Sequence, residues 1–142
     1  MNRTANQIVT NALRVCRVFG PDQTVPAFAL TDGLRALEEM LAVWRSDSQL
    51  HQSPTYVVPT FANQTDTVSV ADALVMPITY LLADILAPEH GQTMPASLVM
   101  QAQSALRQWR TKVAASLVVQ QKLETAEMSE HYGDVSYDID AG

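Results

Sequence analysis

The side chains in this sequence that are best suited to metal or nucleophilic chemistry are three histidines and one cysteine. His51, His90 and His131 lie in predicted loops or in the C-terminal segment, and none has another histidine or cysteine three or four residues away. A metal-binding pair on one helix face requires that spacing. Cys16 follows an apolar helical pattern and has no neighbouring base that would generate a thiolate. We therefore expect surface histidines, a buried cysteine and no metal site.

Adjacent carboxylates occur in the helical body only at Glu38-Glu39. Neighbouring helix positions point about 100° apart, so these two carboxylates do not converge on one substrate as a general acid–base pair would. A solvated helix face is the expected environment of both. The sequence also lacks a glycine-rich phosphate loop, a nucleophile elbow and the spacing of a zinc site. We expect no catalytic residue and no cofactor.

Two groups of basic residues are the other candidates for a functional surface. One, on the predicted fourth helix, consists of Arg107, Arg110 and Lys112, and the other, on the predicted first helix, consists of Arg14 and Arg17. The simpler interpretation is a solvated helix surface. The alternative is that one group faces DNA or an acidic partner. If the protein assembled as a ring, each cation would be repeated in every subunit, so that a modest patch would produce a substantial field.

The net charge of −6 lies entirely in the last nineteen residues. Nine acids and nine bases cancel as far as Leu123, and six acids with no base follow from Glu124. This distribution predicts a helical body over 1–128 and an acidic arm over 129–142. The arm has too few apolar residues to offset its ordering entropy, and we expect it to be disordered until it binds a partner. If it became extended, Val135, Tyr137 and Ile139 would share one face, which favours strand addition or groove binding.

The bulk composition is typical of a helical, non-secreted domain. Hydrophobic residues make up 47% of the chain and aromatic residues only 6%. The acidic balance argues against a protein that coats nucleic acid, and a single cysteine favours a reducing compartment. No stretch approaches eighteen apolar residues, and the segment Met1-Asn2-Arg3-Thr4 lacks an apolar signal core. These features predict a soluble protein made in the cytoplasm.

Apolar residues at helical spacing predict the first two helices. Thr4 is the expected N-cap of the first, and Gly20-Pro21 is expected to end it. The second is expected to begin near Pro26 or Thr31 and to end at about Asp47. Its apolar seam consists of Leu30, Leu34, Leu37, Leu41 and Trp44.

The second half of the sequence predicts two more helices. Ser69 and Asp72 resemble a capping pair that opens the third, and Pro88 is expected to end it. Pro77 predicts a kink there or a start nearer Val75. The residues expected to be buried on this helix are Leu74, Ile78, Leu81, Leu82, Ile85 and Leu86, which make it the most buried helix.

The fourth helix is expected to open at Met94-Pro95, with Thr93 as its cap, and to reach about Met128. Between the second and third helices, the short β-prone runs Tyr56-Val57-Val58 and Thr67-Val68 predict a β-hairpin or an extended loop around 54–70. The predicted fold is therefore mainly α, with a four-helix domain and an extended C-terminal arm.

Three stretches carry a resemblance to a known family. They are Ile8–Arg14, with the pattern Ile-Val-x-x-Ala-Leu-Arg, the helix Leu34–Arg45, and the stretch Tyr80–Gly91, which is followed by a helix with Ala102 and Ala105. In their order and spacing, over roughly residues 4 to 115, they resemble the head–tail adaptors of tailed bacteriophages. These adaptors are also called packaged-DNA stabilisation proteins or head-completion connectors.

The resemblance implies a structural virion protein made in the host cytoplasm. Such a protomer joins a ring, usually a dodecamer, beneath the portal protein at the capsid vertex. The ring closes the vertex after DNA packaging, retains the genome, extends the DNA channel and offers a platform to the tail nozzle or tail-tube protein. The arm would then bind the portal through Tyr132, Asp134, Val135, Tyr137, Asp138, Ile139 and Asp140, and Arg107, Arg110 and Lys112 would face the DNA channel or a subunit interface.

Two other functions stay open at the level of sequence. One is a small helical regulatory or accessory protein that binds a partner through its acidic arm. The other is an enzyme, for example one that degrades cell wall, with Glu38, Glu39 or Glu89 as its acid. No second carboxylate is placed by the sequence to complete that pair. Assembly size separates a connector from a regulator, since only the connector should form a large ring with portal protein.

Overall fold

A computed structural model describes residues 1–51 and 56–133 of the chain. The elements in chain order are β1 (Asn2–Thr4), α1 (Ala5–Val15), α2 (Ala27–Ser46), β2 (Thr67–Ser69), α3 (Asp72–Leu86) and α4 (Ala96–Gly133), with a short 3₁₀ helix at Pro88–His90. The described part of the chain is mainly helical, with four α-helices and one two-stranded antiparallel sheet. The predicted fold class is therefore confirmed.

Helix α1 starts where the sequence predicts and ends earlier. The Thr4 hydroxyl accepts the N–H of Gln7, and the Gln7 side chain accepts the N–H of Thr4, which makes a complete capping box. The predicted end at Gly20-Pro21 is wrong. Arg17 adopts a left-handed conformation, with φ at 61°, and the helix stops at Val15. A non-glycine residue with such a φ is uncommon, so an arginine at this position does not predict the end of a helix.

Helix α2 has the predicted bounds and packs closely on α1. Leu37, Leu41 and Trp44 of the predicted seam are buried, while Leu30 and Leu34 are half-buried against the core. Gly33 faces α1, and a Cβ atom placed there would overlap Cγ1 of Val9. The absence of a side chain at residue 33 therefore sets the distance between the two helices.

The segment between α2 and α3 takes the extended-loop form where it is described, and residues 52–55 lie outside the described part. Its strand β2 pairs antiparallel with β1, with Arg3 opposite Val68. The loop side chains Val58 and Phe61 are almost fully buried and contribute to the hydrophobic core. The loop therefore closes over the helices as part of the body.

Helix α3 is the central helix and packs against α1, α2 and α4. Its start differs from the prediction: Ala71 is the N-cap, with no side-chain cap, and Ser69 lies in β2. The helix begins at Asp72 and continues through Pro77, so the proposed start near Val75 is also wrong. It ends at Leu86, before Pro88, as predicted. Of its expected buried residues, Ile85 is exposed and Leu81 is half-buried.

Helix α4 is longer than predicted. It begins at Ala96 and ends at Gly133, five residues beyond the predicted limit at Met128. The first five residues of the predicted arm, 129–133, are therefore helical, and residues 134–142 lie outside the described part. None of the described helices has the length and apolar content needed to cross a membrane.

Candidate functional site

Helix α4 carries four of the residues that the sequence predicts for binding: Arg107, Arg110, Lys112 and Tyr132. Its first half packs on the body through Ala102, Leu106, Trp109 and Val113, which are all buried. From Ala114 to Glu127 only Ser116 is half-buried, and all other residues are exposed. At 1.5 Å per residue, the helix extends about 30 Å beyond Val113 to Gly133. We call residues 114–133 the projecting half of α4.

The base of the projecting half is fixed by Trp109. Its indole N–H donates to the carbonyl oxygen of Leu50 at 2.7 Å, in a buried environment. The ring of Tyr56 meets the Trp109 ring edge to face, with a centroid distance of 5.2 Å. Leu50 and Tyr56 both lie in the segment between α2 and β2, so α4 leaves the body where it contacts this segment.

The predicted cluster of Arg107, Arg110 and Lys112 is split by helix geometry. Arg107 and Arg110 line a shallow groove between α3 and α4, together with Leu81, Gln103 and Leu106. Lys112 lies about 140° around the helix from Arg107 and is exposed on a different side. The three cations therefore do not form one patch, which corrects the grouping made from sequence.

The two arginines of the groove differ in their availability. Arg110 forms an ion pair with Asp47 at 3.5 Å, and its Nε atom is enclosed without a hydrogen-bond partner. Arg107 is exposed, and the described residues include no ion-pair partner for its guanidinium group. Arg110 therefore helps to hold α4 on the end of α2, and Arg107 is the cation of this groove that is free to meet a ligand.

The second basic group is also divided. Arg14 lines an open polar groove along α1 with Arg3, Asn6, Gln7, Thr10 and Asn11. Arg17 lies beyond the end of α1 and lines a separate depression beside Gln92 and Thr93. The two cations thus belong to different surfaces.

Glu38 has a different environment from the solvated face that the sequence predicts. One carboxylate oxygen accepts the backbone N–H of Phe61 at 2.7 Å. The other accepts an N–H of Arg45 at 3.3 Å, and Arg45 also donates to the carbonyl oxygen of Pro59 at 2.8 Å. Glu38 and Arg45 therefore bind the Pro59–Phe61 loop to α2. Glu39 is exposed, as expected.

The described histidines are half-buried and have specific neighbours, so they are not simple surface residues. His51 accepts the backbone N–H of Val58 through Nδ1 at 3.1 Å. The ring of His90 meets the Phe19 ring edge to face, with a centroid distance of 6.4 Å. Both histidines help to hold loops, while the side chain of His131 lies outside the described part.

Cys16 is buried, as predicted, and its thiol donates to the carbonyl oxygen of Leu13 at 3.5 Å. Burial raises the pKa of this thiol, because desolvation disfavours the thiolate. A raised pKa is the opposite of what a nucleophilic cysteine needs. Within the described part of the chain, no three His, Cys, Asp or Glu side chains are grouped as a metal site would require.

The predicted arm is only partly within the described residues. Tyr132 lies in the last turn of α4. The other proposed partner-binding residues, Asp134, Val135, Tyr137, Asp138, Ile139 and Asp140, fall outside the described part. No protein-family model matches this chain, and none of the curated proteins is significantly similar to it.

Proposed function

We propose that this protein is a structural head–tail adaptor of a tailed phage. In this proposal, copies of the chain form a ring beneath the portal that closes the capsid vertex after packaging and retains the DNA. The ring also extends the DNA channel and provides the platform for the tail. Its resemblance to that family in three ordered stretches supports the proposal, and so does its mainly helical fold.

The observation that carries the proposal is the projecting half of α4. A helix that leaves its body at Val113, extends about 30 Å and is exposed from Leu117 to Glu127 gains little stability from its own chain. It does, however, carry its own last residue, Gly133, about 30 Å from Val113 along the helix axis. A connector needs such an extension in order to reach a partner above or below its ring.

Charge supports the same interpretation. Six acids and no base occur from Glu124 onward, whereas the preceding residues are neutral overall. In a ring, neighbouring arms would repel one another in free solution, and docking into separate basic clefts on the portal would relieve that repulsion. The arm is therefore proposed to dock on the portal through its acids and through Tyr132, Val135, Tyr137 and Ile139.

Within this proposal, we assign the DNA contact to Arg107. This side chain is exposed beside the α3–α4 groove, while Arg110 is engaged with Asp47 and Lys112 lies on another side of α4. One free cation per subunit becomes a ring of cations when copies are arranged around an axis. Such a ring would attract the phosphates of DNA in a channel.

The test is binding to purified portal rings from the same phage genome. The full chain is mixed with portal rings, and the particles are separated by size and imaged by electron microscopy. We expect an added ring of density on the portal. Deletion of residues 134–142 is expected to weaken attachment at least tenfold while the circular dichroism of the body stays unchanged.

A second variant separates the contribution of the arm's apolar side chains from that of its charge. A variant in which Val135, Tyr137 and Ile139 become serine keeps every acid and should also attach weakly, since the apolar contacts are lost. The proposed arm contact is wrong if the deletion variant binds portal rings as tightly as the full chain. Failure of the full chain to add to portal rings at all would reject the adaptor function and favour a small regulator.

A further inference from the structure

The polar groove along α1 is lined by six described residues, and none of them is acidic. Arg3 enters it from β1 and Arg14 from the last turn of α1. The side chains between them are three amides and a hydroxyl: Asn6, Gln7, Thr10 and Asn11. From Asn6 to Arg14 the groove follows α1 for about 12 Å. An open, elongated polar surface of this kind fits a segment of a partner chain better than a small molecule, which binds in an enclosed and mostly apolar pocket.

Neither arginine of the groove is neutralised by its own chain. Arg3 donates through Nη2 to the sulfur of Met1 at 2.8 Å, and a thioether is a weak, uncharged acceptor. Arg14 is exposed, and its guanidinium group forms no ion pair within the described ranges. The carboxylate of Asp72 pairs with the Met1 ammonium group instead. The groove therefore presents two positive charges that an anionic partner would neutralise.

Two enclosed polar atoms beside the groove also lack hydrogen-bond partners. They are the donor Nε of Arg3 and the acceptor Oδ1 of Asn6. Unpaired enclosed groups cost free energy, which a partner that draws both side chains outward would recover. Such a partner must accept from the arginine and donate to the amide. A protein segment with carboxylates and amide side chains offers both, whereas the phosphates of DNA only accept. The groove chemistry therefore favours an acidic protein segment over DNA.

The chain carries an acidic surface of that composition on the projecting half of α4. Glu124 and Glu127 are both exposed, lie about 60° apart around the helix, and form no ion pair with any described residue. Gln121, one turn before Glu124, adds an amide at the edge of the same side. The nearest cation on α4 is Lys122, which points about 140–160° away from the two acids. The acids are therefore not neutralised by their own helix.

The acids that dock in the groove come from a second copy. Glu124 lies about 16 Å beyond Val113, the last buried residue of α4, and the helix is continuous between them. Because a continuous helix does not fold back on itself, the acids of one chain stay outside the groove of that chain. In a second copy the same acids are free to approach it.

We propose that the acidic side of α4, at Glu124 and Glu127, docks into the Arg3–Arg14 groove of a second copy. This contact joins two different surfaces, so a chain that uses its groove keeps its acids for a third copy. Heterologous contacts of this kind generate rings or filaments rather than closed dimers. The contact adds a subunit interface to the ring of the proposed function, and it leaves the residues from Tyr132 onward for the portal. Its test needs no portal.

Disulfide trapping between full-length copies tests the contact. Asn11→Cys places a thiol in the groove, and Gln121→Cys places one beside the acids. A mixture of the two variants should form a linked heterodimer roughly fivefold faster than a mixture of Asn11→Cys with Gln108→Cys, which carries its thiol on the body half of α4. Native Cys16 is 3% exposed and is present in every variant. Equal rates in the two mixtures overturn the proposal.

Charge reversal on either side should abolish the faster trapping. Arg14→Glu in the groove partner and Glu124→Lys/Glu127→Lys in the acidic partner each place like charges together, so each should slow the reaction to the rate of the control mixture. Arg35→Glu is the matched control, since it makes the same charge change at an exposed position of α2. Trapping that is insensitive to Arg14→Glu also overturns the proposal.

Nuclear magnetic resonance of the full chain separates the acidic partner from DNA. The amide signals of residues 6–14 should shift as the wild-type concentration rises and should stay constant in the Glu124→Lys/Glu127→Lys variant. Constant signals in the wild type contradict the contact. A short DNA duplex added to that variant should leave the same signals unchanged. Shifts that depend on both DNA and Arg14 would make the groove a nucleic-acid surface and overturn the proposal. Rings on portals without any trapping would reject this contact alone and leave the adaptor function standing.

Discussion

The carboxylate of Glu38 accepts the backbone N–H of Phe61 at 2.7 Å, across 23 positions of sequence. The Phe61 side chain is only 2% exposed and lies in the core between the loop and the helices. A single acidic side chain on α2 thus fixes the position of an irregular segment that contributes a large core residue. The sequence alone predicts a solvated position for Glu38, but the position of this loop depends on its carboxylate.

Replacement of Glu38 should therefore destabilise the protein. Glu38→Ala removes the acceptor of the Phe61 N–H and leaves Arg45 without its carboxylate partner, so the free energy of unfolding should fall by about 1–3 kcal/mol. Urea unfolding monitored by circular dichroism measures this change. Glu38→Gln keeps an acceptor oxygen and should lose less. Glu39→Ala, at the exposed neighbour, should stay within about 0.5 kcal/mol of the wild type, and an equal loss in both alanine variants would contradict the assigned contact.

The close contact of Gly33 with Val9 gives a second prediction about stability. Gly33→Ala introduces a Cβ atom that overlaps Cγ1 of Val9, so α1 and α2 must separate. The expected loss is about 1–3 kcal/mol, despite the better helix propensity of alanine. The double variant Gly33→Ala/Val9→Ala removes the overlapping atoms and should recover part of the strain, as a double-mutant cycle would reveal. Strictly additive losses would show that the two residues are not in conflict.

Helix positions could be predicted because their signals are local. Thr4 with Gln7 forms a capping box within four residues, and Leu37, Leu41 and Trp44 share one side of α2 by spacing alone. The end of α3 before Pro88 is likewise determined by the proline itself. These features need no knowledge of what lies across the core.

The remaining features depend on contacts between distant segments. Strand β1 has three residues and exists because Thr67–Ser69 lies beside it. Asp47 and Arg110 form an ion pair across 63 positions, which no spacing rule could show. The candidate site is the part that could be predicted least. Proximity in sequence groups Arg107 with Lys112, whereas the helix places them on different sides.

The hydrogen bond from Trp109 to Leu50 predicts how firmly α4 is attached. Trp109→Phe keeps an aromatic ring against Tyr56 but leaves the buried carbonyl oxygen of Leu50 without its donor. The free energy of unfolding should fall by about 1–3 kcal/mol. Denaturant titration measures the loss, with Gln108→Ala on the exposed side of α4 as the control. A loss below about 0.5 kcal/mol would show that this hydrogen bond contributes little.

Burial of Cys16 predicts a pH dependence of stability. Because the pKa of this thiol is raised in the fold, the folded state binds its proton more tightly than the unfolded state does. The stabilising contribution is therefore complete below the ordinary thiol pKa and is lost as the pH rises through the raised value. Relative to Cys16→Ala, the wild type should lose stability above about pH 8.5. Paired urea titrations at neutral and alkaline pH measure this difference, and a constant difference would contradict it.

Arg107 allows the proposed DNA contact to be tested without disturbing the fold. Arg107→Glu reverses one exposed charge beside the α3–α4 groove, and the unfolding midpoint should stay near that of the wild type. Arg110→Glu, by contrast, should destabilise the protein, since it places two acids together at Asp47. In phage particles assembled with the Arg107→Glu protein, reversed charge around the channel should reduce the fraction of heads that retain nuclease-protected DNA. Arg107→Lys keeps the charge and should retain DNA normally. Normal retention with Arg107→Glu would show that this cation faces away from the channel.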